Sequence, residues 1–147
     1  MPLGVNLKLD VDKARKYYRD SARRGLLQAA RVVLNRANKK VPLDTGILLN
    51  SGQVQVTGGG SEPAAGRMTG VTREGVAKEV IAPALQTLPV REGDEAAVVF
   101  YNTPYAVYLH EHPELDFQGG REGKWLERAV NESQKDILKA LTAELNR

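Results

Sequence analysis

Apolar residues at Tyr18, Ala22, Leu26, Ala29, Val33 and Ala37 recur every three or four positions, which predicts one long amphipathic helix over residues 12–40. Asp10 or Asp12 supplies a short side-chain oxygen for its N-cap. Val41-Pro42 ends it, because the residue before a proline is pushed out of the helical region. Unbroken, such a helix is about 40 Å long at 1.5 Å per residue. A second stripe of Leu126, Val130, Ser133, Ile137, Leu141 and Leu145, thickened by Ala129, Leu138 and Ala140, predicts another long helix over 122–146.

Shorter patterns lie between these two. Leu43-Asp44-Thr45-Gly46 is turn chemistry, and residues 47–51 read as a short helix capped by Asp44 or Thr45. Val54 and Val56 alternate with Gln53, Gln55 and Thr57 as in a strand. Residues 58–70, from Gly58-Gly59-Gly60 through Arg67, hold little that can drive packing and read as a flexible loop or a hairpin tip. A strand is expected near Ala77–Ile81, and an irregular connection over 82–95 with Pro83, Pro89 and Gly93. The nearly continuous apolar run at 96–101 predicts a central strand. Residues 104–111 read as a short helix begun by Pro104, followed by a loop that ends in Gly119-Gly120. The fold class is α+β, with two long amphipathic helices on a small, mostly antiparallel sheet. The 147 residues suit a single domain spanning 1–147.

Composition narrows the chemistry. With 41% hydrophobic and 27% charged residues the chain is ordinary for a folded protein. The absence of cysteine excludes disulfides, thiolate nucleophiles and Cys-based metal sites. No apolar run approaches the ~20 residues needed to span a bilayer, so no membrane partner is expected. Residues 1–6 lack a signal-peptide pattern, which predicts a cytoplasmic site of synthesis and use. No cofactor is expected.

His110-Glu111-His112 is the only histidine cluster. Zinc-protease histidines stand four apart on a helix, and no third ligand is close in sequence, so the trio reads as a helix end stopped by Pro113. A metal-dependent hydrolase centred on His110 and His112 is the weakest alternative. Ser51 and Ser61 lie outside any nucleophile elbow, and Asp94-Glu95 reads as a solvated turn. Gly58-Gly59-Gly60-Ser61 is followed by Glu62-Pro63, not by the lysine of a phosphate loop. Catalysis is therefore not expected.

The net charge of +3 is concentrated in the first helix. Ten basic residues, among them Arg19, Arg23 and Arg24, face two acidic ones between Asp12 and Lys40. This surface faces either phosphates or acidic protein, including Glu127, Glu132, Asp136 and Glu144 of the last helix. Protein-facing or solvated charge is the favoured reading, and a small nucleic-acid-binding module is the alternative function. Tyr105, Tyr108, Phe117 and Trp125 read as a core cluster between the short helix and the last one.

Three motifs in order resemble a family of small proteins of long-tailed double-stranded DNA bacteriophages. These are the minor capsid or tail-completion proteins of the head–tail junction. The first motif is Pro42-Leu43-Asp44-Thr45-Gly46-Ile47-Leu48, after a basic helix and with Ser51 close behind. The second is Tyr105-Ala106-Val107-Tyr108-Leu109-His110-Glu111. The third runs from Gly119-Gly120 into Trp125-Leu126-Glu127. The resemblance spans residues 12–145.

It implies a non-enzymatic virion protein, a ring-forming subunit of the neck made in the bacterial cytoplasm, as a connector, completion or terminator protein. It implies partners in further copies of the chain (a hexamer or dodecamer), adjacent connector proteins and the major tail protein, with non-specific contact to passing double-stranded DNA. Pro42, Asp44, Thr45, Gly46, Tyr105, Tyr108, Glu111, Gly119, Gly120, Trp125 and Leu126 would then be structural. Interfaces would fall on Gly58, Gly59, Gly60 and Arg67 and on the charged face at Arg19, Arg23 and Arg24.

Overall fold

A computed structural model of the chain describes residues 3–43, 47–58, 61–63, 70–71, 77–78, 91, 93–101, 103 and 105–147. Helix α1 runs Val11–Asn38. The Asp10 carboxylate accepts from the amide of Lys13 at 3.1 Å, so one of the two expected caps is in place. The helix closes through Lys39 and Lys40 ahead of Val41-Pro42. Its buried face is Ser21, Gly25, Ala29, Ala30, Val33, Leu34 and Ala37. Tyr18, expected on that face, is 61% exposed and meets Tyr17 edge-on instead. The inward face of the first half is lined by small residues, which bring a neighbouring helix close and leave no room for a tyrosine ring.

Helix α2 is the short Ile47–Asn50, as expected; Asp44, Thr45 and Gly46 lie outside the described residues. Strand β1 (Gly52–Val56) pairs antiparallel with β2 (Ser61–Pro63), setting Val54 opposite Glu62. Ser61–Pro63 is thus a strand inside the stretch read as a loop. Gly59, Gly60 and Arg67, like most of residues 82–95, fall outside the description. Strands β3 (Gly70–Val71) and β4 (Ala77–Lys78) form a separate antiparallel pair.

Strand β5 (Ala97–Tyr101) pairs with β1, Val99 opposite Val54, and gives the sheet order β2-β1-β5. Among the described residues β5 is therefore an edge, not the central strand its apolar run predicts. One face of that run, Ala97, Val99 and Tyr101, packs toward Ala30, Leu34 and Val54.

Helix α3 runs Ala106–Glu111. The predicted last helix is two: α4 (Trp125–Glu132) and α5 (Gln134–Leu145). They meet at Ser133, which is fully buried. Arg36 causes the break. Its guanidinium donates to the Glu132 carbonyl and to Ser133 Oγ at 3.0 Å, and pairs with Asp136 at 2.9 Å. A side chain inserted at a helical carbonyl bends the ladder there.

The C-terminal region runs antiparallel to α1. Arg121 reaches Asn38, Arg36 reaches Ser133, Gly25 lies against Leu141, and Tyr17 donates to the Arg147 carbonyl. The main core lies at one end, where Val33, Ala37, Val41, Leu48, Leu49, Ala106, Trp125 and Ala129 cluster. The class is α+β.

Candidate functional site

The second and third sequence motifs meet at one joint between α3 and α4. The chain reverses through Gly119 and Gly120, whose φ angles of +65° and +74° suit glycine. Arg121 then donates to the carbonyls of Asn38 at 2.6 Å and Val41 at 3.4 Å, so a cation sits on the negative end of α1. The amide of Glu122 donates to the Lys40 carbonyl at 2.9 Å. Gly123 is buried, and a Cβ there would stand 2.7 Å from the Pro113 Cα, so the crossing admits only glycine without a shift. Lys124 takes a left-handed turn with φ +54°, and its amide donates to the His110 carbonyl at 2.8 Å.

Trp125 then drops into the core, 2% exposed. Its ring meets Tyr101 edge-on at 5.8 Å and His110 edge-on at 4.9 Å. Leu126, partly buried, packs on the same cluster. The expected aromatic cluster is therefore corrected: Trp125 packs inward with Tyr101 and His110, while Tyr105 and Tyr108 are 41% and 56% exposed. In a helix of six residues only one position is buried, and Ala106 holds it. Tyr108 instead stacks on His112 at 4.1 Å.

Most polar groups of the joint are tied to structure, while the buried Trp125 Nε1 has no hydrogen-bond partner among the described residues. His110 Nδ1 lies 2.8 Å from the Glu111 carboxylate, which can only accept, so Nδ1 carries the proton. Nε2 is left to accept from the Glu127 amide at 3.4 Å, which serves the first turn of α4, where Lys124 gives no side-chain cap. Glu111 pairs with Lys124. The Lys124 ammonium, and then His110, hold the Glu111 carboxyl below its usual range, and Glu111 raises Lys124 in return. Burial pushes the Tyr101 phenol up, and its hydroxyl donates to Asn38 Oδ1. His112 Nδ1 donates to the Tyr108 carbonyl at 2.6 Å. Among the described residues no three metal-ligating side chains gather. No helix there is long and apolar enough to cross a membrane.

Part of the basic face of α1 is paired within the chain. Glu95 takes Arg23 at 2.6 Å and Arg19 at 3.5 Å, and also accepts from Thr57. It is not the solvated turn residue expected of Asp94-Glu95. The Arg23 hydrogen bond, then that of Thr57, holds its carboxyl below the usual range. Glu144 takes Arg24 at 3.2 Å. Of the residues read as an interface, Arg19, Arg23 and Arg24 thus face acidic groups of their own chain, and Gly58 is exposed at the turn leaving β1.

Pro42 is half-buried just beyond α1. The expected facing of the basic helix toward the last helix holds for Arg24 with Glu144 and Arg36 with Asp136, whereas sequence reasoning missed Glu95, Tyr101, Arg121 and Lys124. Only Tyr101 carried a local signal, as the last residue of the apolar run.

Comparison with family models, with curated proteins and with solved structures found no match for this chain.

Proposed function

We propose that this chain is a non-enzymatic structural virion protein, a ring-forming subunit of the head–tail neck of a tailed bacteriophage, as a connector, completion or terminator protein. The observation that carries this reading is the α3–α4 joint. The second and third of the motifs that resemble the phage family converge there, and His110, Glu111, Arg121 and Lys124 are spent on holding elements together. Both nitrogens of His110 are engaged, Glu111 is paired with Lys124, and Arg121 caps α1. A catalytic site needs a base with a free face toward substrate; a scaffold subunit needs a rigid joint.

On this reading two long helical arms, α1 and the bent α4–α5 pair, lie on a small sheet. The chain joins further copies of itself, adjacent connector proteins and the major tail protein at the head–tail junction of the virion. Heterologous contacts between unlike faces close the ring. Lys13, Arg15 and Lys16, near the start of α1, would tolerate passing DNA without reading its sequence. The nucleic-acid-module alternative is weakened by the pairing of Arg23 with Glu95 and of Arg24 with Glu144.

The test is co-sedimentation and electron microscopy with tubes of a candidate major tail protein. Rings capping tube ends are expected. Tubes that stay bare at saturating protein would overturn the proposal.

A further inference from the structure

Residues 3–11 read Leu-Gly-Val-Asn-Leu-Lys-Leu-Asp-Val, a strict alternation with the apolar side chains at every odd position. That period belongs to a strand with one buried face. Yet this arm pairs with nothing among the described residues. Leu3 is 103% exposed, Val5 86%, Leu7 89% and Leu9 75%.

A matching acceptor stands elsewhere on the molecule. Strand β5 has a partner on one side only among the described residues. Beside it runs an open apolar groove of about 280 Å³. Val99 of β5, Leu26, Ala30 and Val33 of α1, Leu126 of α4 and Ile137 of α5 line it. A strand laid along β5 would hydrogen-bond to the edge that no described residue pairs and lower alternate side chains into this groove.

The arm cannot fill its own groove. Leu26 stands fifteen residues along α1 from Val11, about 22 Å at 1.5 Å per residue. Leu9 is two residues from Val11 and reaches only about 7 Å from it. At most the far tip of the arm could return to its own β5, whereas the pattern commits all four apolar side chains to one face.

We infer that residues 3–9 are a donated strand, which adds to this edge of β5 in a second copy of this chain and buries Leu3, Val5, Leu7 and Leu9 in that copy's groove. The arm and the groove are different surfaces, so each copy can donate to one neighbour and accept from another, as a head-to-tail ring requires. The inference rests on the self-association within the proposed function and specifies its contact.

Because the chain has no native cysteine, engineered pairs report the contact cleanly. Chains carrying Val5→Cys, Leu7→Cys or Leu9→Cys are each mixed with chains carrying Val99→Cys, or Ala97→Cys if the former fails to fold. The expected result is a mixed disulfide dimer for at least one arm position, and none for Lys8→Cys, which points to the opposite strand face. In parallel, removing residues 2–9 should lower the native mass to the monomer with unchanged helical circular dichroism. Leu7→Ser should weaken association by roughly tenfold or more. An arm-deleted chain that keeps its full native mass would overturn the arm while leaving self-association standing. A full chain that is monomeric at every concentration, or links formed only within one chain, would overturn it too. Tube capping by that monomer would leave the neck reading intact.

Discussion

The two ends of α1 are held by different forces. Around Val33, Ala37 and Val41 the helix is anchored by apolar burial, with Trp125, Leu48 and Leu49 closing over it. Around Arg19, Arg23 and Arg24 the buried residues are only the small Ser21 and Gly25, ion pairs run to Glu95 and Glu144, and α5, which lies along it, has no fully buried residue. Apolar burial is non-directional and is not screened by salt. Exposed ion pairs are weak, screened and sensitive to pH. One end is therefore a fixed anchor and the other an adjustable clasp, and the same end carries the exposed arm.

The largest predicted effect strikes the anchor. Trp125→Ala should cost about 3–5 kcal/mol, read as a lowered urea midpoint, because it empties the centre of the core. Gly123→Ala should cost about 1–3 kcal/mol by forcing the Pro113 backbone away, although it removes no contact. If Gly123→Ala proves neutral, the α3–α4 crossing is looser than described.

Next comes the seam between the ends. Arg36→Ala removes the donor that holds the Glu132 carbonyl and Ser133 Oγ, at about 1–2 kcal/mol. It should also raise helical circular dichroism at 222 nm slightly, as α4 and α5 merge. An unchanged spectrum would assign the bend to Ser133 itself.

At the clasp, Glu95→Gln should cost about 1 kcal/mol or less, because its partners Arg23 and Arg19 are 33% and 55% exposed and water screens them. The Glu95 carboxyl is depressed below its ordinary value of 4.5 in the folded chain. Its contribution is therefore present above that value and is lost as pH falls through the folded pKa. The gap between native and Glu95→Gln midpoints should close on acidification below pH 4.5 and stay constant near neutrality. A gap that widens in acid would reverse the assignment. The smallest effect is Arg24→Ala, at about 0.2–1 kcal/mol and vanishing at high salt, where the Trp125→Ala loss should persist.

What the sequence made legible follows this division. Asp10 announced the start of α1, and the stripe through Ala29, Val33 and Ala37 announced its buried second half, because both signals are local. Gly119-Gly120 ahead of a docking Trp125 was legible for the same reason. The bend at Ser133 was not, since its cause, Arg36, lies 97 residues away. Glu95 looked like a solvated turn residue because Arg23, which neutralises it, lies 72 residues back. Tyr105 and Tyr108 were misplaced because aromatic character outweighed the length of α3, which buries only Ala106. The Glu144 side of the clasp was legible as a basic helix facing an acidic one, whereas contacts between single charged groups distant in the chain carry no periodicity, so the Glu95 side was hidden where the anchor was plain.

The most direct test of the account is the native mass of the full chain by light scattering across concentration, alone and with a candidate major tail protein. The account predicts a concentration-dependent rise to a single ring-sized species, sharpened by the tail protein. A monomer under both conditions, up to the highest soluble concentration, would contradict it.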